Sequence, residues 1–394
     1  MNIGIEATSW HNKRGYGRHA RSLLCALAKT DRENNYTLFV DSEHGIQDIP
    51  NEVAVRVVNT DLQVSMAASS DGHRSIKDLW RMSQALSDPT FDILFFPTIY
   101  SFVPVFSRAR KLVMIHDVIP EKYPHLTFPK LSSRWFWKLK GVMGRKQANV
   151  ILTVSEYSRS CIAEHFRMPP DRIRVVGEAG DQSFRLIDQP AISRYTTPHL
   201  ASLNLPLDCP MLIYVGGFGP HKNLNALIDV FARLVAHSEF SDSHLLMVGE
   251  YQKEVFYSEY SELVNRIDTL GLDDRVVFTG FIPDEELAVL LNLGTLLVLP
   301  SLMEGFGLPA IEAAACGCPV IATKESPLPS LLGNAGVYID PHNPMELLVA
   351  LIDVLGSNRK RMEMRQAGLT AAERLTWENA ARQFIEILDG IQVS

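Results

Sequence analysis

Short apolar runs alternate with longer amphipathic stretches along most of the chain. Short apolar runs predict buried strands, and apolar residues recurring every three to four positions predict helices. In the first half the predicted strands are residues 2–7, 36–40, 53–58, 92–96, 111–115, 150–154 and 173–176. The predicted helices there are residues 17–29, 74–87, 130–147 and 156–166. This order predicts an α/β domain with a parallel sheet.

A second alternation follows a polar, proline-bearing stretch near residues 185–210. Its predicted strands are residues 211–215, 244–248, 276–279, 295–299, 319–322 and 336–339. Repeated strand–helix units imply right-handed crossovers, so we expect two doubly wound, Rossmann-like domains that face each other across a cleft. The predicted domains are residues 1–190 and 191–375. The terminal segment 376–394 is predicted to be an amphipathic helix that caps the second domain or, as we expect, crosses back to the first.

The most informative segment lies at residues 299–312, where Glu304 and Glu312 flank a glycine turn that leads into a helix. Pro309 suits the first helical position, which places Glu304 in the loop and Glu312 in the first helical turn. Amides at a helix start favour an anion such as a diphosphate, and here they are expected to be those of Gly305, Phe306, Gly307 and Leu308. An acidic helix cap is the simpler interpretation, but it explains only one of the two glutamates.

A second motif, residues 214–223, ends a predicted strand at Gly216 and Gly217 and continues to Lys222 at a helix start. Glycines let a backbone approach a phosphate closely, and a lysine binds a diphosphate as a point charge. The motif therefore predicts a second part of the same anion site. The alternative is a solvated lysine at a helix start.

Composition limits the classes of function. The chain has 394 residues, 46% of them hydrophobic, and a net charge of −7, which fits a soluble two-domain protein and argues against nucleic acid as the main partner. No apolar run is long enough to cross a bilayer, and the N-terminus lacks the layout of a signal peptide. Five scattered cysteines fit a reducing compartment, so we expect a cytoplasmic protein.

Three segments together resemble a known family: residues 280–287, 300–312 and 315–322 look like those of the retaining glycosyltransferases with the GT-B fold, often called family 4. The resemblance covers nearly the whole chain and is strongest from 211 to 340. It implies an acceptor-binding N-terminal domain and a C-terminal domain that binds a nucleotide-sugar donor. Two positions depart from the family pattern: His221 stands where an arginine is common, and Ser330 stands where a glutamate is common.

The resemblance also implies roles for residues. His116, directly after a predicted strand, is expected to contact the donor sugar near the reacting carbon. Gly15 and Gly17 match a Gly-x-Gly-Arg pattern whose backbone lies close to the donor phosphate, although an ordinary tight turn explains them nearly as well. The backbone at Phe281 and Ile282 is expected to bracket the base.

Three residues form the expected catalytic set, His116, Lys222 and Glu304. Lys222 and the amides of 305–308 are expected to stabilise charge on the leaving diphosphate. Gly216, Gly217 and His221 are also expected to contact the donor. Glu304 is expected to lie beside the transferred sugar and its phosphates. Glu312 is expected to accept hydrogen bonds from the ribose hydroxyls.

Neither a cofactor nor a metal is expected, because the sequence shows no Asp-x-Asp motif and no His/Cys cluster near the cleft. The predicted helix across 130–146 combines basic residues with Trp135, Phe136 and Trp137, which suits peripheral contact with the inner face of an anionic membrane. A charged outer face and an aromatic inner face explain that helix at least as well.

The resulting hypothesis is a retaining, metal-independent glycosyltransferase. It moves a hexose from a GDP- or UDP-sugar to a glycan or lipid-linked oligosaccharide, in cell-surface polysaccharide biosynthesis. Two alternatives stay open, a nucleotide-sugar epimerase of the same fold and a non-catalytic nucleotide-sugar-binding protein. A nicotinamide dehydrogenase is a weaker rival, because no Gly-x-Gly-x-x-Gly with a trailing acidic residue follows the first strand.

Overall fold

The computed structural model describes residues 1–12, 15–43, 46–60, 75–128, 130–188, 203, 208–251 and 257–391. They form two compact units. The first contains Met1–Pro124, Phe128–Glu178 and Trp377–Ser394, and the second contains His125–Thr127 and Ala179–Thr376. Much of the polar stretch predicted between the domains, 189–202 and 204–207, lies outside the described residues.

The first unit is built on a seven-stranded parallel sheet with the order β3-β2-β1-β4-β5-β6-β7. Its strands are β1 (Asn2–Glu6), β2 (Asn35–Val40), β3 (Ala54–Val57), β4 (Ile93–Phe96), β5 (Arg110–Met114), β6 (Val150–Thr153) and β7 (Ile173–Val175). Ile3 pairs with Tyr36 on one side and Ile93 on the other, so β1 is an interior strand. Central strands covered on both faces are apolar throughout, as β4 is.

The second unit is built on a six-stranded parallel sheet with the order β10-β9-β8-β11-β12-β13. Its strands are β8 (Met211–Val215), β9 (His244–Val248), β10 (Val276–Gly280), β11 (Leu296–Leu299), β12 (Val320–Thr323) and β13 (Gly336–Ile339). The strand order reverses between β8 and β11. Ligands of such sheets bind beyond the carboxyl ends of the strands at this switch point.

Helices connect the strands, as the amphipathic pattern predicts. In chain order they are α1 (Gly15–Thr30), α2 (Ile76–Leu86), α3 (Ile119–Lys122), α4 (Pro124–Thr127), α5 (Leu131–Gln147), α6 (Glu156–Phe166), α7 (Leu224–Val235), α8 (Tyr260–Leu270), α9 (Asp284–Leu293), α10 (Leu308–Ala315), α11 (Leu328–Leu332), α12 (Pro344–Leu355), α13 (Asn358–Ala372) and α14 (Trp377–Asp389). The terminal helix α14 packs in the first unit, where the Phe384 ring lies 4.9 Å from that of Phe95. In the part of the chain that is described, no helix combines the length and the apolar character needed to span a membrane.

Two local predictions were wrong. The structure begins α1 at Gly15, two residues before the predicted start at residue 17, so both Gly15 and Gly17 lie in its first turn. It begins α10 at Leu308, which makes Pro309 the second helical residue and moves Glu312 to the second turn. The cause of the second error is Gly307, whose φ of 84° ends the loop one residue earlier than proline alone predicts.

Candidate functional site

The loops that follow β8 and β11 bring Lys222 and Glu304 together at the switch point of the second sheet. Lys222 closes a short 3-10 turn, Pro220–Lys222, and Glu304 lies in the loop between β11 and α10. The Nζ atom of Lys222 lies 2.7 Å from Oε1 of Glu304. Both residues were predicted at the donor site, and the second unit brings them into direct contact.

Glu304 is buried and held as a carboxylate. Ser301 donates a hydrogen bond from its Oγ to the same Oε1 over 2.6 Å. Burial alone raises the pKa of Glu304, but the charge of Lys222 and the hydrogen bonds from Lys222 and Ser301 outweigh it and hold the pKa below its ordinary value. The carboxylate is therefore ionised at neutral pH.

Backbone contacts fix the two loops against each other. The amide of Leu302 donates to the carbonyl of His221 over 2.8 Å. Asn223 adopts a left-handed backbone with φ of 58°, and its Nδ2 donates to the carbonyls of Pro300 and Pro341 at 3.2 and 2.8 Å. One side chain thus connects the segments that follow β8, β11 and β13.

His221 is a neutral neighbour of the pair. Its Nδ1 is buried and, among the described residues, has no hydrogen-bond partner. Burial and the adjacent Lys222 charge lower its pKa to about 3, against a smaller opposing effect of Glu304. An ordinary histidine titrates near neutrality, whereas the structure keeps this ring uncharged at pH 7.

The buried His221 predicts a pH-dependent stability. Between about pH 3 and pH 6.5 the unfolded chain binds a proton at this histidine that the folded chain does not. Its contribution is therefore full above pH 6.5 and is lost as the pH falls toward 3. In denaturant titrations between pH 4.5 and 6, His221→Gln is expected to flatten the slope of the unfolding free energy by about 1.4 kcal/mol per pH unit at most.

The control is His342→Gln, which removes an exposed histidine of the same unit. We expect it to leave the slope as in the unsubstituted protein. Equal slopes for His221→Gln and the unsubstituted protein would contradict a neutral buried ring.

The glycine turn before α10 leads into a helix N-terminus, which is a common geometry for an anion-binding site. Gly307 has a left-handed backbone, and a Cβ there would lie 2.9 Å from the Leu328 side chain. Gly305 and Phe306 are buried in the turn, and the helix starts directly after it at Leu308. Because the positive end of α10 meets the loop that carries Glu304, a diphosphate near Lys222 would meet further positive charge.

Glu312 is almost fully buried on α10. A Cβ at Gly180 would lie 3.2 Å from its Cγ, so the glycine lets the backbone pass close to the glutamate. Burial, followed by the charge of Glu312, raises the pKa of Cys316 to about 12. The thiol is therefore protonated, which agrees with a packing role for the Cys316–Cys318 pair and not a redox role.

The glycines after β8 have packing reasons of their own. The amide of Gly216 donates to the carbonyl of Val248, and the hydroxyl of Tyr214 donates to the carbonyl of Gly217 over 2.5 Å. A Cβ at Gly249 would lie only 2.0 Å from the Gly216 carbonyl oxygen. Sequence reasoning missed Gly249, although a glycine directly after strand 244–248 was a visible signal.

The two residues after β10 whose backbone is predicted to bracket the base, Phe281 and Ile282, differ in the exposure of their side chains. Gly280 has φ of 73°, after which Phe281 is 51% exposed and Ile282 is buried. Nearby, the rings of Tyr251 and Tyr260 stack at 4.3 Å. The sequence analysis did not identify this tyrosine pair.

In the first unit, His116 lies two residues beyond β5 and its side chain is 17% exposed. Burial, with a smaller effect of His19, lowers the pKa of His116 well below its ordinary value. Glu178 and His19 are its neighbours, with the His19 ring centroid at 5.0 Å. The sequence assigned no role to His19 or Glu178, because nothing in their spacing shows that α1 and the end of β7 meet here.

The helix α5 divides its aromatic residues between two faces. Trp135 is 70% exposed and Phe136 is exposed too, whereas Trp137 donates from Nε1 to Glu121 over 2.8 Å. The simple picture of an aromatic inner face therefore holds for Trp137 alone.

Two family models match the chain. Residues 13–179 match Glycosyltransferase Family 4, and residues 197–370 match Glycosyl transferases group 1. The chain belongs to the family 4 glycosyltransferases. The match to the second model contains Lys222, Glu304 and the whole of α10, so the site described above lies in the group 1 region.

Curated relatives of this chain include two proteins of Escherichia coli. It is 24% identical to the serotype-specific mannosyltransferase WbdA, over 98% of this chain and 48% of WbdA. It is 31% identical to O-antigen chain mannosyltransferase B, over 60% of each protein. The chain thus spans about half the length of WbdA.

Solved structures confirm the fold class. The chain superimposes on sucrose-phosphate synthase from Thermosynechococcus elongatus with a TM-score of 0.77 and 19% identity, over 99% of this chain and 98% of the other. For Anabaena HepE in complex with UDP the TM-score is 0.71 at 17% identity, over 99% and 100% of the two chains. These likenesses concern the fold, and they confirm the predicted GT-B class of two parallel-sheet α/β domains.

Proposed function

We propose that this protein is a retaining glycosyltransferase that moves a hexose from a nucleoside diphosphate sugar to a glycan or lipid-linked acceptor, in the synthesis of a cell-surface polysaccharide. The observation that carries the proposal is the contact of Lys222 with Glu304 at the switch point of the second sheet, beside the start of α10. A cation, a carboxylate and a helix N-terminus supply what a phosphorylated sugar needs: charge for the phosphates and an acceptor for hydroxyl groups.

The reaction builds up negative charge on the leaving diphosphate as the bond to the anomeric carbon breaks. Groups that meet this charge more strongly in the transition state than in the ground state accelerate the reaction. In our proposal Lys222 and the amides of residues 305–308 are these groups, so no metal ion is needed for the diphosphate. The Glu304 carboxylate, which is already hydrogen-bonded to Ser301, accepts hydrogen bonds from hydroxyl groups of the sugar.

The remaining donor contacts follow the family resemblance and stay proposals. Glu312 accepts hydrogen bonds from the ribose, which requires the residues that cover it to yield. The backbone at Phe281–Ile282 brackets the base, and Gly216 and Gly217 admit the phosphates. His116 contacts the donor sugar, and Gly15 and Gly17 lie near the donor phosphate.

The relatives suggest which donor to test first. Two of them are named as mannosyltransferases, and one of these as acting on an O-antigen chain. A structure of similar fold holds UDP-glucose. We therefore propose a mannosyl donor, GDP-mannose, with UDP-sugars as the alternative.

The acceptor side is proposed from α5. Exposed Trp135 and Phe136 stand on a helix that also carries Lys138, whose Nζ lies 5.5 Å from the centre of the Trp135 ring. Aromatic and basic side chains on one exposed surface suit the headgroup region of an anionic membrane. A lipid-linked acceptor would reach the protein at that surface of α5.

A donor panel tests the function. GDP-mannose and UDP-, ADP- and dTDP-sugars are screened by thermal shift, and then by release of the nucleoside diphosphate with and without a lipid-linked glycan, in buffer with EDTA. We expect stabilisation by one class of donor, and transfer that requires the acceptor and survives EDTA. Epimerised sugar without acceptor would favour an epimerase, and binding without turnover a non-catalytic protein. Either result would overturn the proposal.

A further inference from the structure

Three side chains from separate parts of the first unit meet in one small cluster. His19 comes from α1, His116 follows β5, and Glu178 follows β7. Glu178 Oε1 lies 2.7 Å from His19 Nδ1 and 3.9 Å from His116 Nε2. One donor atom from each residue can be chosen so that all three lie within 4.8 Å of one another.

The polar atoms of this cluster are poorly satisfied by the protein. Both ring nitrogens of His19 and Nε2 of His116 are buried without a hydrogen-bond partner among the described residues, although Nδ1 of His19 lies at ion-pair distance from Glu178. The buried Glu178 carboxylate contacts no other cationic group in the described part of the chain. Burying a charge and several polar nitrogens in this way is costly unless something else binds them.

We propose that His19, His116 and Glu178 bind one divalent transition-metal ion, with Zn²⁺ as the preferred ion. Two imidazoles and one carboxylate are a common donor set for zinc when a fourth position stays open. Imidazole also favours zinc over the hard cations Mg²⁺ and Ca²⁺, which take oxygen ligands. The cation would supply partners for the buried nitrogens and would lie beside the buried carboxyl group of Glu178.

The geometry is close to that of a tetrahedral site. Zinc bonds of about 2.1 Å at tetrahedral angles separate ligand atoms by about 3.4 Å. The His19–Glu178 pair is shorter than this and the His116–Glu178 pair is longer, so each separation would have to change by about 0.5–0.7 Å on binding the ion. The side chain of His116 is 17% exposed, which gives an ion a route of entry.

Packing already orients the His19 ring. Its centroid lies 5.0 Å from that of His116 and 5.5 Å from that of Trp377, both in edge-on contacts. Rings held in this way lose little freedom when they bind a metal. The site contains neither Lys222 nor Glu304, the side chains proposed to act at the leaving diphosphate and the sugar, but it shares His116 with the proposed contact to the donor sugar.

The test measures the metal directly and not through transfer activity. The full chain is stripped with EDTA, dialysed free of it, and titrated with ZnCl₂ by calorimetry. We expect one ion per chain, a micromolar or tighter dissociation constant, and a higher melting temperature with zinc. Addition of Co²⁺ is expected to give the visible absorption of a low-symmetry site.

Two variants assign the ligands. His19→Phe keeps the ring packing and removes both nitrogens, and Glu178→Gln keeps the shape and removes the anionic oxygen. Loss of supporting partners around a metal ligand already costs about 10- to 100-fold in affinity, so loss of the ligand itself is expected to weaken binding by at least about 100-fold. The melting temperature of each variant is first measured without zinc, to show that the variant folds. One folded variant is enough for the test.

A matched control comes from the second unit, where Cys209 Sγ lies 3.3 Å from His244 Nδ1 and offers another pair of zinc donors. Cys209→Ser is expected to bind zinc as the unsubstituted chain does. The proposal is overturned if the unsubstituted chain does not bind zinc, if His19→Phe and Glu178→Gln bind it unchanged, or if Cys209→Ser abolishes binding.

Discussion

Replacing Lys222 with alanine is expected to lower the turnover number by about two orders of magnitude or more with the best donor found. The ammonium group of Lys222 lies 2.7 Å from Glu304 at the switch point of the second sheet, and in the proposed reaction it meets the charge that develops on the leaving diphosphate. Steady-state release of the nucleoside diphosphate in the presence of acceptor measures the effect.

The matched control for this result is Lys324→Ala. Lys324 also forms an ion pair in the second unit, with Asp340 at 2.8 Å, but both partners are largely exposed. Surface pairs contribute little, so this variant is expected to stay within about twofold of the unsubstituted enzyme. Transfer by Lys222→Ala at the rate of the Lys324→Ala control would refute the assignment.

Loss of folding is the confounding effect in this experiment. Lys222→Ala leaves the buried Glu304 carboxylate without its cation, which destabilises a protein more than loss of both partners does. The double variant Lys222→Ala/Glu304→Gln is therefore expected to recover melting temperature but not turnover. Recovery of both would assign the lysine a structural role alone.

Replacing Gly17 with alanine is expected to destabilise the protein by about 1–3 kcal/mol. A Cβ at this position would lie 2.0 Å from the carbonyl oxygen of Asn12. That oxygen has little room to move, because it accepts a hydrogen bond of 2.7 Å from Arg21. Urea denaturation of the two proteins measures the difference.

Gly15→Ala is the paired control, since Gly15 lies in the same helical turn and nothing stands within 4 Å of a Cβ placed there. We expect a change of no more than about 1 kcal/mol, in the stabilising direction, because alanine favours a helix over glycine. Equal effects of the two substitutions would show that the contact with Asn12 does not matter. Loss of donor binding in folded Gly15→Ala protein would instead support the proposed approach of the phosphate to this turn.

Much of the fold is predictable from local pattern. The apolar runs located the strands of both sheets to within a residue or two, because parallel strands covered on both faces must be apolar along their whole length. The N-cap role of Ser155 was also predictable, and its Oγ accepts from the amide of Ser158. Helix starts were harder: α1 and α10 each begin earlier than predicted, since glycines carry no apolar pattern.

The site was predictable as a set of residues and not as a set of contacts. Lys222 and Glu304 each stood beside a recognisable glycine turn, yet their ion pair depends on β8 and β11 being neighbours in the sheet, which pattern alone does not fix. The cluster of His19, His116 and Glu178 had no sequence signal, because its members come from three elements far apart in the chain. The expectation of no histidine cluster therefore considered only residues close in sequence.

The side chain of Asn223 has a consequence for engineering. Its amide holds the carbonyls of Pro300 and Pro341, so the segments after three strands share one anchor. A chimera that imports only one of these segments would have to keep the carbonyl of that segment within reach of the Asn223 amide. These three segments are therefore best exchanged together as one block, and not one loop at a time.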